Sequence, residues 1–550
     1  MSEHKDSQNS KSGISRRKFL ETGALGGAAA AALRGGVPSL AAPPQGGGHF
    51  ELDELTVAEL QEGVKSGKYT ASSLVEKYLV RIRQLDQGGP KVNSVIEINP
   101  DALEIAREMD RERKAKGPRG PLHGIPILIK DNIGTHDRMQ TTAGSLALVS
   151  AIPPKDSFVA RKLREAGAVI LGKTNLSEWA NFRSTHSTSG WSGRGGLTHN
   201  PYALDRNPSG SSSGSGAAAS ANFCAIAIGT ETDGSVVSPS SLNGLVGIKP
   251  TVGLVSRSGI VPISHSQDTA GPMARTVTDA AVLLGALAGV DPDDKATAAS
   301  QGKAESDYAK FLDAQGLKGA RIGVVRNLFG FNDKVDKLID VAIVEMKRQG
   351  ALIVDPANIE TLGKFGKTED VVLQYEFKAD LNAYLAALGP GTHVHTLADL
   401  IEFNEKNKEK EMPYFGQELF IKSQARGPLT DKEYLDALEN DHRMARTEGI
   451  DAVMDKFKLD ALVAPTDSPA WTTDLVNGDH FTGGSSSTPA VAGYPHITVP
   501  AGFVFGLPVG VSFFGRAWSE PTLLKLAYAY EQATRHRSAP KFLATADLTV

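Results

Sequence analysis

Hydrophobic and polar positions follow two periods along the chain between residues 56 and 534. Apolar residues at helical spacing follow Thr56 and Thr70, and each threonine is suited to cap the first turn of a helix. The short apolar run Ile127–Ile129 is typical of a strand buried on both faces. Similar patterns predict further helices at 102–116, 158–166, 276–287, 335–346 and 520–534, and further strands at 168–171, 321–325, 352–354, 461–464, 497–500 and 509–514. This alternation predicts a layered α/β fold.

The patterned region, residues 50–545, reads as a single domain. Residues 365–450 are mostly helical in pattern, and the sequence contains no internal repeat and no interdomain linker. A chain of 550 residues that is 40% hydrophobic has ample material for a large core. We therefore predict one domain with a mostly helical insert at about residues 300–460.

The stretch Asn207–Thr251 carries the densest cluster of hydroxyl side chains. Its Gly/Ser cluster, Ser209–Gly216, has the composition of a flexible linker, but it leads towards the apolar run Phe223–Ile228 with no charged stretch between. We therefore predict a packed turn, followed by a buried strand that Gly229 bounds. Just beyond, Gly234 allows a sharp turn that leaves backbone N–H groups free beside Ser235, as an oxyanion hole requires.

Net charge and cysteine content narrow the function classes. A formal net charge of −4 gives no sign of a nucleic-acid or anionic-membrane partner. The single cysteine, Cys224, excludes internal disulfides and cysteine-based metal clusters, and its apolar neighbours favour a core residue over a nucleophile.

The N-terminal residues 1–42 have the pattern of an export signal. Arg16 and Arg17 precede a weakly apolar Ala/Gly segment, Thr22–Leu33, and a small-residue cleavage site ends at Ala41. This arrangement is typical of a twin-arginine signal, so we expect the export machinery as a transit partner and a periplasmic or secreted location. A plain basic amphipathic tail is the alternative. No other segment approaches the roughly 20 apolar residues of a membrane span.

The common hydrolase motifs fit this sequence poorly. Gly210–Gly214 matches G-x-S-x-G, which would make Ser212 a nucleophile, but the preceding Leu204–Pro208 is not the apolar strand that this motif needs. There is no H-E-x-x-H, P-loop or dinucleotide fingerprint. The histidines 123, 136, 186, 199, 265 and 496 show no spacing pattern, which favours structural or peripheral roles.

Lys130 continues the buried run Ile127–Ile129 and carries a cation to the edge of an apolar interior. A buried ammonium is costly unless it is paired or neutral. Two interpretations stay open from this segment alone: a salt bridge with Asp131 or another acid, or a lysine with a lowered pKa that serves as a base. A desolvated lysine with a pKa of roughly 7–8 can activate a serine, directly or through a second serine.

The residues around Lys130 and the serine clusters resemble the amidase signature family of Ser-Ser-Lys hydrolases. That family has the pattern Gly-Gly-Ser-Ser-Gly-Gly-Ser followed by Gly-Thr-Asp-x-Gly-Gly-Ser-(Ile/Val). Similar segments of this chain are 121–132, 173–179, 209–251, 266–272, 492–500 and 515–520. The resemblance implies the amidase signature fold, a large mixed β-sheet between helix layers.

The resemblance also implies the roles of individual residues. Lys130 falls on the family's base, Ser211 on its bridging cis-serine and Ser235 on its acyl-enzyme nucleophile. The oxyanion-hole amides fall on Thr232, Asp233, Gly234 and Ser235. No metal and no organic cofactor are implied.

Three positions depart from the family pattern: Ser209, Ser213 and Asp233 replace glycines. With the segments 190–196 and 412–418, these departures make the chain resemble the peptide amidase branch, which removes ammonia from C-terminally amidated peptides. We therefore expect a small-molecule or short-peptide amide as substrate, no nucleic-acid partner and no stable membrane insertion. Whether Asp233 shapes the pocket or only pairs structurally stays open.

Other functions also stay open. A broad-specificity amidase or aryl-acylamidase is the alternative within enzymes, whereas the predicted export signal disfavours an amidotransferase subunit with a cytosolic tRNA partner. From a different class, an exported solute-binding protein that kept the fold without catalysis is the remaining alternative.

Overall fold

A mixed sheet of eleven strands runs through the residues that the computed structural model describes, 50–389 and 391–549. The predicted export signal at 1–42 lies outside the described residues. In chain order the strands are β1 (Val95–Ile98), β2 (Pro126–Lys130), β3 (Val169–Thr174), β4 (Trp191–Ser192), β5 (Gly196–Leu197), β6 (Ile226–Glu231), β7 (Val246–Lys249), β8 (Thr269–Ala274), β9 (Arg321–Val324), β10 (Leu352–Val354), β11 (Ala461–Pro465), β12 (His496–Val504) and β13 (Leu507–Phe514). Strands β4 and β5 pair only with each other.

Helices occupy much of the remaining described chain, and no described helix is long and apolar enough to cross a membrane. The α-helices are α1 (Val57–Lys65), α2 (Ala71–Arg81), α3 (Ala102–Lys116), α4 (Phe158–Glu165), α5 (Ser213–Ser220), α6 (Val237–Leu242), α7 (Val277–Leu287), α8 (Asp333–Arg348), α9 (Gly366–Ala387), α10 (Leu397–Lys406), α11 (Lys408–Glu411), α12 (Glu418–Gln424), α13 (Lys432–His442), α14 (Asp451–Phe457), α15 (Ser487–Ala492) and α16 (Glu520–Thr534). Wider π-helical turns follow α2 at Ile82–Asp86 and α13 at Arg443–Ile450.

The strand order in the large sheet is β1-β3-β2-β6-β8-β7-β12-β13-β11-β9-β10. Parallel pairs join β2 to β3 and β6, and β9 to β10 and β11, whereas the other pairs are antiparallel. The predicted α/β class with a large mixed sheet is confirmed. In the β2–β6 pair Ile129 lies opposite Ile228, so the carboxyl ends of the two strands meet at one edge of the sheet.

Most predicted elements form where the hydrophobic pattern places them, because their ends carry local signals. Helix α1 begins after Thr56, which forms a capping box with Glu59, and α2 begins after Thr70, whose side chain accepts from the Ser73 N–H. Helix α3 ends at Lys116 before Gly117, whose φ is +81°.

The predicted strand Phe223–Ile228 was placed three residues too early. Strand β6 is Ile226–Glu231 and passes through Gly229 instead of ending there. Phe223 N–H donates to the Ala218 carbonyl and so still belongs to the end of α5, and Ala225 N–H bonds to Pro126 and starts the pairing with β2. Apolar character alone does not separate this connection from the strand, since both are fully buried.

Between β10 and β11 the described chain is helical, from α9 to α14. Helix α9 packs against α12 and α13. Strands β9 and β10, which also lie between residues 300 and 460, belong to the large sheet. The helical portion proper therefore starts at Gly366.

A buried ionic cluster joins this helical portion to the segment after β3. Arg183, fully buried, donates to Glu178 Oε1 at 2.8 Å and to the Glu411 carbonyl of α11. The Glu178 and Glu411 carboxylates also accept backbone N–H bonds, from Gly193 and Leu146 respectively. Burial raises the pKa of Glu178 well above its usual range. The cluster needs its single arginine, because otherwise two carboxyl groups face each other in the interior.

We predict that Arg183→Met lowers the free energy of unfolding by about 3–5 kcal/mol, because it leaves the buried Glu178 and Glu411 without their cation. The matched control is Arg443→Met, which breaks the Arg443–Glu448 pair whose side chains are 46% and 47% exposed. Such an exposed pair contributes about 0–1 kcal/mol. Urea unfolding of both variants checks this, and an Arg183 effect no larger than the Arg443 effect would contradict it.

Candidate active site

Lys130 is fully buried at the carboxyl end of β2, and its ammonium nitrogen contacts only neutral oxygens among the described residues. Lys130 Nζ lies 2.7 Å from Ser211 Oγ, 3.0 Å from Thr230 Oγ1 and 3.3 Å from the Thr230 carbonyl. No carboxylate of the described residues lies within salt-bridge distance of it. Burial lowers the pKa of Lys130 to about 7, although the charges of Asp268 and Glu231 act in the opposite direction.

The adjacent Asp131 is not the partner of Lys130. Its side chain accepts from Thr142 Oγ1 and lies 3.4 Å from the Arg194 guanidinium. Of the two interpretations that the sequence left open, a structural salt bridge does not describe Lys130. The structure instead gives a lysine with a lowered pKa beside a serine hydroxyl.

Ser211 lies in the turn before α5 and is fully buried. The Gly210–Ser211 peptide bond is cis, and a side chain at Gly210 would clash with Ser177 Oγ. The prediction that the Gly/Ser cluster is packed is confirmed, since every residue of α5 is buried, but from Ser213 onward the cluster forms this helix instead of a turn. Ser212 N–H donates to the Ser235 carbonyl at 3.2 Å, and this bond joins the Ser211 turn to the Ser235 turn.

Ser235 is half-buried, four residues beyond the end of β6 and just before α6. The turn requires Gly234, because its φ is +78° and a Cβ there would lie 2.9 Å from Ser486 Oγ. Among the described residues, the backbone N–H groups of Asp233, Gly234 and Ser235 donate to no acceptor. They are therefore free to bind an anionic oxygen placed beside Ser235.

Two buried carboxylates, those of Glu231 and Asp268, bind groups on either side of this turn. Glu231 Oε2 accepts from the N–H groups of Val236 and Val237 at 2.7 and 3.0 Å. Asp268 Oδ1 accepts from Thr232 Oγ1 at 2.6 Å. Burial raises the pKa of Asp268 to about 6 and raises that of Glu231. Neither carboxylate was singled out from the sequence.

Asp233 belongs to the same turn and is partly buried. Its Oδ1 has no hydrogen-bond partner among the described residues. Burial raises the pKa of Asp233. Burial, and next the nearby Asp233 carboxylate, also raises the pKa of Glu369 on α9. Asp233 therefore has no ion pair among the described residues, and Glu369 of the helical portion lies near the Ser235 turn.

Cys224 and the histidines, the other candidate residues from the sequence, are not among the residues that contact Lys130. Cys224 is a buried free thiol, and burial raises its pKa to about 12, as expected for a core residue. His265, Glu376 and Asp380 bring their ligand atoms within 4.8 Å of one another, the only such group among the described residues. Glu376 there already accepts from the Ser264 hydroxyl and from the hydroxyl and N–H of Ser266, so the group fits a hydrogen-bond network better than a metal site.

The sequence reasoning missed Thr230 and Asn132, which contact the Lys130 region directly. Asn132 Nδ2 donates to Thr230 Oγ1 at 2.9 Å. Thr230 lies near the end of β6 and Asn132 lies just after β2, close to the predicted base. This position at the carboxyl ends of two strands is the sequence signal that could have identified them.

Comparison with known proteins gives consistent matches. The amidase family model matches residues 73–524. An Arabidopsis thaliana protein named "Probable amidase" is 44% identical over 504 residues, which cover 90% of this chain and 93% of the relative.

Solved structures of peptide amidases are also similar to this chain. The native peptide amidase from Stenotrophomonas maltophilia is 51% identical with a TM-score of 0.86, and the match covers 90% of this chain and 100% of that one. The peptide amidase PAM in complex with the competitive inhibitor chymostatin is 52% identical with a TM-score of 0.87, over 89% and 100% of the two chains.

Proposed function

This chain belongs to the amidase signature family of serine amidohydrolases, which hydrolyse amides, and we propose that it releases ammonia from a carboxamide through an acyl-enzyme on Ser235. The resemblance found in the sequence and the amidase signature fold are thereby confirmed. The observation that carries the proposal is the buried contact of 2.7 Å between Lys130 Nζ and Ser211 Oγ, beside the turn that presents Ser235.

In the proposed mechanism neutral Lys130 accepts the proton of Ser211, and Ser211 accepts that of Ser235. Ser235 Oγ then forms a bond to the amide carbon, and the carbonyl electron pair moves to the oxygen. The N–H groups of Thr232, Asp233, Gly234 and Ser235 face this oxyanion. The relay returns the proton to the leaving nitrogen and ammonia departs. Water then takes the place of ammonia: it gives a proton through Ser211 to Lys130 as its oxygen bonds to the acyl carbon, and the Ser235 O–C bond breaks as the relay returns the proton to Ser235.

For the substrate we propose the C-terminal carboxamide of a short peptide. Two observations support this choice: identity above 50% to two peptide amidase structures over their whole length, and Asp233 in place of a glycine beside the nucleophile. Oδ1 of the Asp233 carboxyl group has no hydrogen-bond partner among the described residues, so in the proposed site this oxygen is left to accept a polar group of the peptide.

We predict that the full chain releases ammonia mainly from an amidated dipeptide, when compared with free asparagine, an aliphatic amide and an anilide. Ser235→Ala is expected to lower kcat by at least about 10⁴-fold, because it removes the nucleophile. Ammonia assay of both proteins on the four compounds checks this.

Equal or better activity on the aliphatic amide or the anilide would replace the peptide amidase proposal with a broad-specificity amidase. No ammonia release from any of the four compounds, together with no labelling of Ser235 by a fluorophosphonate, would favour the non-catalytic binding protein.

We predict that kcat/KM falls as the pH drops below about 7 and levels off above it, because Lys130, with its pKa near 7, accepts a proton only when neutral. Asp268→Asn is expected to move the midpoint to lower pH, because the Asp268 charge raises the pKa of Lys130. Initial rates between pH 5 and 9 measure both midpoints. A wild-type profile that stays flat down to pH 5 would contradict the role of Lys130.

We also propose that residues 1–42 direct export through the twin-arginine machinery to the periplasm or beyond. Replacing Arg16 and Arg17 together by lysine is expected to retain the protein inside a bacterial host that has this machinery. Cell fractionation with amidase assay measures the distribution. An unchanged distribution would contradict the proposed signal, whereas the same double change at Arg107 and Arg111 of α3 serves as control.

A further inference from the structure

The protonated form of Lys130 finds a complete set of neutral acceptors in the interior. An ammonium has three N–H groups, and three oxygens lie within reach: Ser211 Oγ at 2.7 Å, Thr230 Oγ1 at 3.0 Å and the Thr230 carbonyl at 3.3 Å. Thr230 therefore supplies two of the three acceptors. Of these three acceptors, only Ser211 Oγ is part of the proposed proton path.

Thr230 is itself fixed by both elements that flank the site. It is buried near the end of β6, where its N–H donates to Ser212 Oγ at 3.1 Å and its carbonyl accepts from the same hydroxyl at 3.0 Å. From the β2 side, Asn132 Nδ2 donates to its hydroxyl at 2.9 Å. The two acceptors of Thr230 therefore stay in place when the charge of Lys130 changes.

We propose that Thr230 is the positioning residue of the base: its hydroxyl and carbonyl hold the Lys130 ammonium beside Ser211 when Ser235 attacks. This inference rests on the proposed function. In the step concerned, the Ser235 proton passes to Ser211 and the Ser211 proton to Lys130, while the Ser235 O–C bond forms. The buried ammonium then receives its stabilisation from Thr230 and Ser211 instead of water.

Neutral acceptors suit this task better than a carboxylate. A carboxylate in contact would keep Lys130 charged at neutral pH and so remove the base. Glu231 and Asp268 face Lys130 only at longer range, and both raise its pKa. Asp131, which follows β2, and Lys173 on β3 are its nearby ionisable neighbours, and both bond to other groups. The hydroxyl of Thr230 therefore stabilises the charged form moderately and leaves the neutral form accessible.

The experiment compares Thr230→Val, which removes the hydroxyl that accepts from Lys130 and Asn132 but keeps the carbonyl, with Thr230→Ser, which keeps both acceptors. The readout is the rate at which a fluorophosphonate labels Ser235 of the full chain between pH 5 and 9, since this probe needs no knowledge of the substrate. In the labelling step the Ser235 oxygen bonds to phosphorus, fluoride leaves, and the proton passes to Lys130.

We expect Thr230→Val to label about 10–100-fold more slowly on the high-pH plateau, as for loss of a hydrogen bond to a charged group. Its pH midpoint should move down by about one pH unit, because the ammonium is then less stable. Thr230→Ser should stay within about threefold of wild type, with the midpoint unchanged.

Thr498→Val on β12 is the matched control, because Thr498 is also buried in the sheet and bonds to another hydroxyl, that of Thr466. Its pH midpoint should equal that of wild type. Equal rates and midpoints for Thr230→Val and wild type would overturn the inference. So would a slower rate for Thr230→Val with an unmoved midpoint, because that is a packing effect.

Ser235→Ala separates this inference from the proposed function. Labelling of the wild type that is lost in Ser235→Ala supports the nucleophile, whatever Thr230→Val does. No labelling of the wild type would overturn both the proposed function and the role of Thr230.

Discussion

The burial of one lysine without a contacting counter-charge is the constraint around which the site is built. Strand β2 is covered on both faces, so Lys130 at its end is removed from water together with its apolar neighbours. Desolvation brings its pKa to about 7, and neutral oxygens of Ser211 and Thr230 complete its surroundings. The acids nearby accept from other groups instead: Glu231 accepts from backbone N–H groups at the start of α6, and Asp268 accepts from the Thr232 hydroxyl. A carboxylate moved to Lys130 would undo the lowered pKa.

The sheet and the helical portion contribute differently to the site. The sheet brings Lys130 and Thr230 together because parallel strands β2 and β6 end at the same edge. The helical portion places Glu369 near Asp233, and the Arg183 cluster joins α11 to the segment after β3. Glu369 and the Lys130–Ser211 contact are therefore carried by separate parts of the chain, the helical portion and the sheet with its turns.

The sequence predicted most of the fold because its helices and strands carry local signals, such as the capping box at Thr56 and the apolar run before Lys130. It misplaced the start of β6, because the residues that connect α5 to β6 are as apolar and as buried as the strand. From the residues alone, the salt bridge to Asp131 could not be separated from the lowered pKa, since the choice depends on Thr142 and Arg194, which are distant in sequence. Thr230, Glu231 and Asp268 were missed because their hydrogen bonds exist only after the strands and turns have come together.

The contrast in exposure between Ser235 and the two residues behind it has a consequence for how protons are handled. Ser235 is half-buried and reachable, whereas Ser211 and Lys130 have no contact with solvent. In the proposed relay, a proton taken from Ser235 therefore stays inside the protein until the leaving nitrogen accepts it. At the end of each half-reaction, Lys130 is neutral again, because the proton that it accepted has left with the product or returned to Ser235. In this scheme buffer acids and bases do not take part in the proton transfers. The pH of the solution then acts only by setting the fraction of Lys130 that is neutral before the reaction begins.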